Sequence, residues 1–124
     1  MKVLALDYGS ARTGIAVSDP TGTVARPVGV AAKVGTPGGM AILLAKIRAE
    51  QPERVVVGLP LTLRGQEGEQ ARETLAFVTL LREALEVPVE TYDERFTSSL
   101  AGGDDARAAA YILSSYLEWL GAAR

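Results

Sequence analysis

Three apolar stretches fill the first thirty residues, and the connections between them are too short to hold a crossover. Lys2 to Tyr8, Thr13 to Ser18 and Val24 to Val30 each have the aliphatic, β-branched make-up of a strand. Gly9-Ser10 and Gly14 punctuate the first connection, and Asp19-Pro20-Thr21-Gly22 is a turn signal for the second. A parallel crossover needs about a dozen residues or more, so these strands are expected to form an antiparallel meander. Pro27 has no N–H to give to a ladder, which assigns the third strand to an edge.

After residue 35 the period changes. Thr36-Pro37 reads as an N-cap and first-turn proline, and MAILLAKIRAE continues as a helix despite Gly38 and Gly39 in its first turn. Arg54 to Gly58, RVVVG, is an all-apolar run of the kind buried on both faces of a sheet. Gly68 to Leu85 has helical periodicity, with Ala71, Leu75, Val78 and Leu81 to Leu85 on one face. Pro88 to Tyr92 is a further strand and Asp104 to Leu120 a last helix. The order βββ-α-β-α-β-α predicts one α/β domain over residues 1–124 with a mixed five-stranded sheet. Its helix-bearing crossovers should make the last two strands parallel to the first.

That topology brings distant acids to one edge. In open α/β sheets, sites form outside the carboxyl ends of strands. Asp7 ends the first strand, and Asp93 and Glu94 end the fifth, either of them a candidate. Asp104 and Asp105 open the last helix, where backbone amides favour negative charge. Asp105 shares a stripe with Ala109, Ile112 and Tyr116, so it begins the core-facing side, whereas Asp104 suits an N-cap. Carboxylates converging in a cleft repel one another, and a divalent cation relieves the cost. Oxygen-only ligands suit Mg²⁺ or Mn²⁺. A pair of such ions can prepare an attacking water and stabilise the leaving oxygen of a phosphodiester.

Composition narrows the chemistry further. The chain has no histidine and no cysteine, which disfavours zinc hydrolases and the Ser-His or Cys-His nucleophiles. The lack of cysteine fits a reducing compartment, and a cytoplasmic location is expected. No eighteen-residue apolar run exists, and MKVLALDYG meets an aspartate too early for a signal segment, so no membrane association is expected. Residues 1–48 carry six basic and two acidic side chains, and residues 49–124 carry seven and thirteen. Folding could set a positive patch beside an acidic site. Arg12, Arg26, Lys33, Arg64 and Arg95 are candidate phosphate contacts, with Arg12 first by position. Gly9 and Gly14 in DYGSARTG would let backbone approach a ligand, and Arg12 would bind phosphate or pair with a carboxylate. The same spacing suits the phosphate loop of an actin-like ATPase, but such enzymes need two lobes and the chain has no internal repeat. Neither the P-loop nor the dinucleotide glycine pattern is present.

LALDYGSARTGIAVSD, VVVGLPLTLRG, YDERFTS and DARAAAYILSSYLEWL, in that order, resemble successive signatures of the YqgF/RuvX family. These are candidate Holliday junction resolvases and nucleases of the small-subunit ribosomal RNA precursor. The resemblance covers nearly the whole chain. It implies a ribonuclease H-like fold with strand order 3-2-1-4-5 and a divalent-metal nuclease. It assigns the catalytic, metal-binding acids to Asp7, Glu94 and Asp105, with Gly9, Arg12 and Arg95 near phosphate. Other junction resolvases of this fold carry an acid at the end of strand four. Here that place is Val57-Gly58-Leu59, so strand five is expected to supply the replacement. One departure stands out: the connection between Glu94 and Asp105 is only RFTSSLAGGD, shorter near 96–104 than the family pattern, which carries a basic loop there. Losing several phosphate contacts weakens substrate grip by orders of magnitude at moderate salt.

The expected function is therefore metal-dependent endonuclease activity on branched DNA or precursor rRNA, in a monomer or homodimer. Paired symmetric cuts in a junction would require the dimer. A nonenzymatic nucleic-acid-binding module of the same fold is the alternative, and an ATPase-like domain a more distant one.

Overall fold

The computed structural model describes residues 1–61, 64–93 and 105–122. Its elements run β1 (Val3–Asp7), β2 (Arg12–Ser18), β3 (Ala25–Ala32), α1 (Pro37–Glu50), β4 (Arg54–Leu59), α2 (Glu69–Ala84), β5 (Val89–Asp93) and α3 (Asp105–Ala122). The sheet order is β3-β2-β1-β4-β5. β1, β2 and β3 pair antiparallel as a meander, while β4 lies parallel to β1 and β5 parallel to β4. The expected topology is borne out, and Pro27 does lie on an edge strand. The β2–β3 register slips there, Ile15 pairing with Gly29 and Ala16 with Pro27. The slip leaves Val28 as the extra residue of a bulge, a device that spoils an edge for pairing with other chains.

Strand alternation divides the core into two layers of unequal bulk. Leu4, Leu6, Ile15, Val17, Val55 and Val57 face α1 and α2, meeting Leu43, Ile47, Phe77, Val78 and Leu81. Val3, Ala5, Ala16 and Val56 face α3, meeting Ala109, Ile112, Leu113 and Tyr116. The α3 side of β1 and β2 is thus built from smaller residues, and α3 settles closer to the strands there. β1 and β4 are buried on both faces, which explains their unbroken apolar runs. Each aliphatic side chain so enclosed contributes about 1.5–3 kcal/mol.

The helices begin and sit much as their sequences require. Thr36 caps α1, its hydroxyl accepting from the Gly39 N–H at 3.1 Å, with Pro37 in the first turn. On α2 the core positions include Thr74 and Phe77 beside Ala71, Val78 and Leu81, while Leu75 is only half-buried. Thr74 tolerates burial because its hydroxyl donates back to the Gln70 carbonyl at 2.9 Å. α3 is pinned at its far end by a polar relay. Arg54 donates to the Tyr116 hydroxyl at 2.6 Å, and that hydroxyl donates to Glu90 at 3.0 Å. Among the described residues no helix is long and apolar enough to cross a membrane.

Candidate active site

Asp7 is the last residue of β1, at the edge where β1, β4 and β5 all end. It has the same parity as Val3 and Ala5, so its side chain is on the α3 side. Directly across the ladder from it stands Gly14. A Cβ built on Gly14 would lie 1.8 Å from the carbonyl oxygen of Asp105 and 2.3 Å from its carbonyl carbon. The first turn of α3 therefore rests on bare backbone of β2, in a space that no side chain can share. That contact brings Asp105 beside Asp7. The sequence suggests that Gly14 admits a ligand; the structure shows that it admits α3.

The electrostatics follow from this closeness. The Asp7 carboxyl is pushed up to about 6 from its ordinary 3.8, first by burial and then by the Asp105 carboxylate. The Arg12 guanidinium lies 3.2 Å from Asp105, with its own side chain largely exposed. Of its two expected roles, Arg12 thus fills the carboxylate-pairing one here. Arg12 and Asp105 come from opposite sides of the same contact, β2 and α3. The turn before β2 is closed by Thr13, whose buried hydroxyl donates to the Gly9 carbonyl at 3.4 Å. Gly9 is needed by that turn itself, because a Cβ on it would meet the Arg12 carbonyl oxygen at 2.4 Å.

Strand five separates two of the candidate acids. Asp93 pairs with Leu59 and has the parity of Val89, which faces α1 and α2. It therefore belongs to the face opposite Asp7. Tyr92 packs on the α3 side, its hydroxyl 2.8 Å from Ser115. Glu94, Arg95 and Asp104 lie outside the described residues. Among the described residues no group of three potential ligating side chains is assembled. What is assembled is the pair Asp7 and Asp105. Their donor set fits a hard divalent cation: oxygen-only, partly buried, and already paying for mutual repulsion that such an ion would remove. Two features here were not legible in the sequence, the α3-seating role of Gly14 and the stacking of Tyr8 on Phe77 at 4.6 Å.

A β3-β2-β1-β4-β5 sheet flanked by helices, with carboxylates meeting at the end of its central strand, defines a ribonuclease H-like domain. The solved structures agree on the fold. RuvC from Thermus thermophilus superposes with a TM-score of 0.61 at 17% identity, covering 98% of this chain and 97% of that one. The Fowlpox virus resolvase in complex with Holliday junction DNA gives 0.63 at 12% identity, covering 97% and 99%. The family is settled by sequence: a profile described as "RuvX: Holliday junction resolvase" matches residues 1–119. The chain belongs to the RuvX family. A relative from Rubrobacter xylanophilus, named "Putative pre-16S rRNA nuclease", is 40% identical over 136 positions, covering 98% of this chain and 96% of its own. Another from Syntrophomonas wolfei with the same name is 35% identical over 133 positions, covering 95% and 94%.

Proposed function

We propose that this chain is a nuclease that hydrolyses phosphodiester bonds in structured nucleic acid, with Mg²⁺ or Mn²⁺ held by Asp7, Asp105 and Glu94. The observation that carries the proposal is the seating of α3 on Gly14, which forces two carboxylates together at the end of β1. Carboxyls raised by burial and a neighbouring like charge cluster at functional sites, and Asp7, pushed up to about 6, is one of these. Glu94, outside the described residues, is the third candidate because the family resemblance assigns it and because Asp93, its neighbour, belongs to the face opposite Asp7. β5 lies two strand spacings from β1, about 10 Å, a gap that a glutamate and an ion together can bridge. When bound, the cations supply charge stabilisation and a water acidified toward neutral pH.

The chain's own residues perform the rest. Asp7 is ionised above pH 6 and orients the reacting centre from the rigid end of a buried strand. Arg12 neutralises Asp105 and, being exposed, can turn to a substrate phosphate once a cation takes its place. Lys33, next along the same edge, would add to the phosphate-binding charge. Its N–H donates to the Ala11 carbonyl at 3.0 Å, tying the two loops together.

Precursor rRNA is the favoured substrate, since the named relatives are of that kind. The alignments to them, 133 and 136 positions, are longer than the 124-residue chain, so those relatives carry residues that this one lacks. A shortening near 96–104 would account for them and would weaken substrate grip more than cation binding. Purified protein should be assayed with Mn²⁺ and with Mg²⁺ on a precursor rRNA 5′ segment and on a four-way DNA junction. Wild type cutting the precursor, with Asp7→Asn inactive, is the expected result. Absence of cleavage of both substrates, or equal cleavage by Asp7→Asn, overturns the assignment. Sedimentation with and without the junction decides between a monomer and a dimer.

A further inference from the structure

Beside the carboxylate pair, on the other face of β1, lies a hollow of about 210 Å³ lined by Tyr8, Val34, Gly35, Glu73, Phe77 and Leu80, together with Ala76. We propose that it receives one unpaired nucleobase of the substrate, with Glu73 selecting a base that carries an amino group. This inference rests on the nuclease reading and names what that site would recognise.

The first support is continuity. Tyr8 directly follows Asp7, and alternation at the end of β1 sends the acid toward α3 and the ring toward α2. A strand crossing the end of β1 would therefore set its phosphate on one side and its base on the other. The two side chains are anchored on consecutive Cα atoms, about 3.8 Å apart.

The second support is chemistry. The lining is aliphatic and aromatic apart from Glu73. Tyr8 is stacked on Phe77 with ring planes 28° apart, so its orientation is set before any ligand arrives. An apolar hollow with an acid at its rim repels phosphate and welcomes a flat ring. A carboxylate accepts hydrogen bonds from exocyclic amines and offers nothing to a carbonyl edge. Glu73 is exposed, and among the described residues it has no ion pair or hydrogen bond to compete for it.

The third support is Gly35. It is not among the glycines with positive φ, and a Cβ built on it meets nothing within 4 Å. Neither backbone strain nor packing asks for glycine here, whereas an open slot does. Leu80, about half exposed, completes a wall that the fold leaves uncovered.

The test uses the full chain carrying Asp7→Asn, to separate binding from cleavage, and branched oligonucleotides with 2-aminopurine at an unpaired or a paired position. The unpaired probe should lose fluorescence on binding, and the paired probe should not. Gly35→Leu should fill the slot, abolish the quenching and weaken binding roughly 5- to 100-fold, the range of one lost base stack. Glu73→Gln should keep the quenching and reduce the preference for cytosine over uracil or thymine by roughly tenfold. Gly38→Leu, also in open space, serves as the control and should change neither. Bound probe without quenching, or quenching that survives Gly35→Leu with an unchanged melting temperature, overturns the proposal. If Gly35→Leu unfolds, an unchanged base preference in Glu73→Gln overturns it instead. Cleavage by wild type is scored separately: cutting without base capture removes this inference alone, and no cutting of any substrate removes the nuclease reading.

Discussion

Gly14→Ala is the substitution that best probes why the two acids meet. The added methyl would begin 1.8 Å from the Asp105 carbonyl oxygen and 3.0 Å from the Ala106 nitrogen. Both obstacles are helix backbone, which cannot rotate away as a side chain would. Restoring even a 3.0 Å contact obliges the start of α3 to retreat by more than 1 Å from β2. Overpacking of this kind costs about 1–3 kcal/mol, which for a domain of this size lowers the melting temperature by roughly 5–10 °C. The functional loss should be larger than the stability loss implies. A displacement of about 1 Å at a reacting centre costs on the order of a hundredfold in rate. Mg²⁺ affinity, measured calorimetrically on the folded variant, should fall as well, because Asp105 is drawn away from Asp7. Gly29→Ala is the matched control, since a Cβ there meets nothing within 4 Å. It should leave melting, metal affinity and rate within error of wild type. Wild-type metal affinity and cleavage in Gly14→Ala would refute the claim that α3 seating on β2 sets the geometry of the site.

Asp7→Asn should abolish cleavage yet stabilise the metal-free protein at neutral pH. The raised carboxyl means that the folded chain holds a proton which the unfolded chain has already released between about pH 4 and 6. Wild-type stability should therefore fall as pH rises through that window and level off above it. The Asn variant should show no advantage below pH 4 and gain roughly 2–3 kcal/mol above pH 6, read from urea melts across pH in chelator. Arg12→Ala should change stability by less than about 1 kcal/mol, as expected for an exposed ion pair. It should also lower the salt slope of nucleic-acid binding by about one, and an unchanged slope would remove Arg12 from the phosphate contacts. Tyr116→Phe leaves Arg54 and Glu90 without the hydroxyl between them and should cost about 1–3 kcal/mol in thermal melts. A neutral result would mean that the relay does not anchor α3.

The topology was already legible in the chain's local pattern. Short connections among β1, β2 and β3 permit only a meander, and helices between the later strands enforce parallel addition, because chain connectivity and hydrophobic period are local properties. The sequence also marked Asp7 and Asp105, one by its place at the end of an apolar strand and the other by its stripe along α3. What it could not show is a matter of distances between elements. Asp93 and Glu94 look alike as adjacent acids, and only the register of β5 against β4 sends Asp93 to the far face. Gly14 looks like a ligand-loop glycine, and only the packing of α3 reveals that the helix itself needs the missing methyl. Tyr8 and Phe77, sixty-nine positions apart, carry no shared signal until the layers close and stack them. Those decisions belong to tertiary structure because each depends on how closely two surfaces approach, which side-chain volume on both sides sets together.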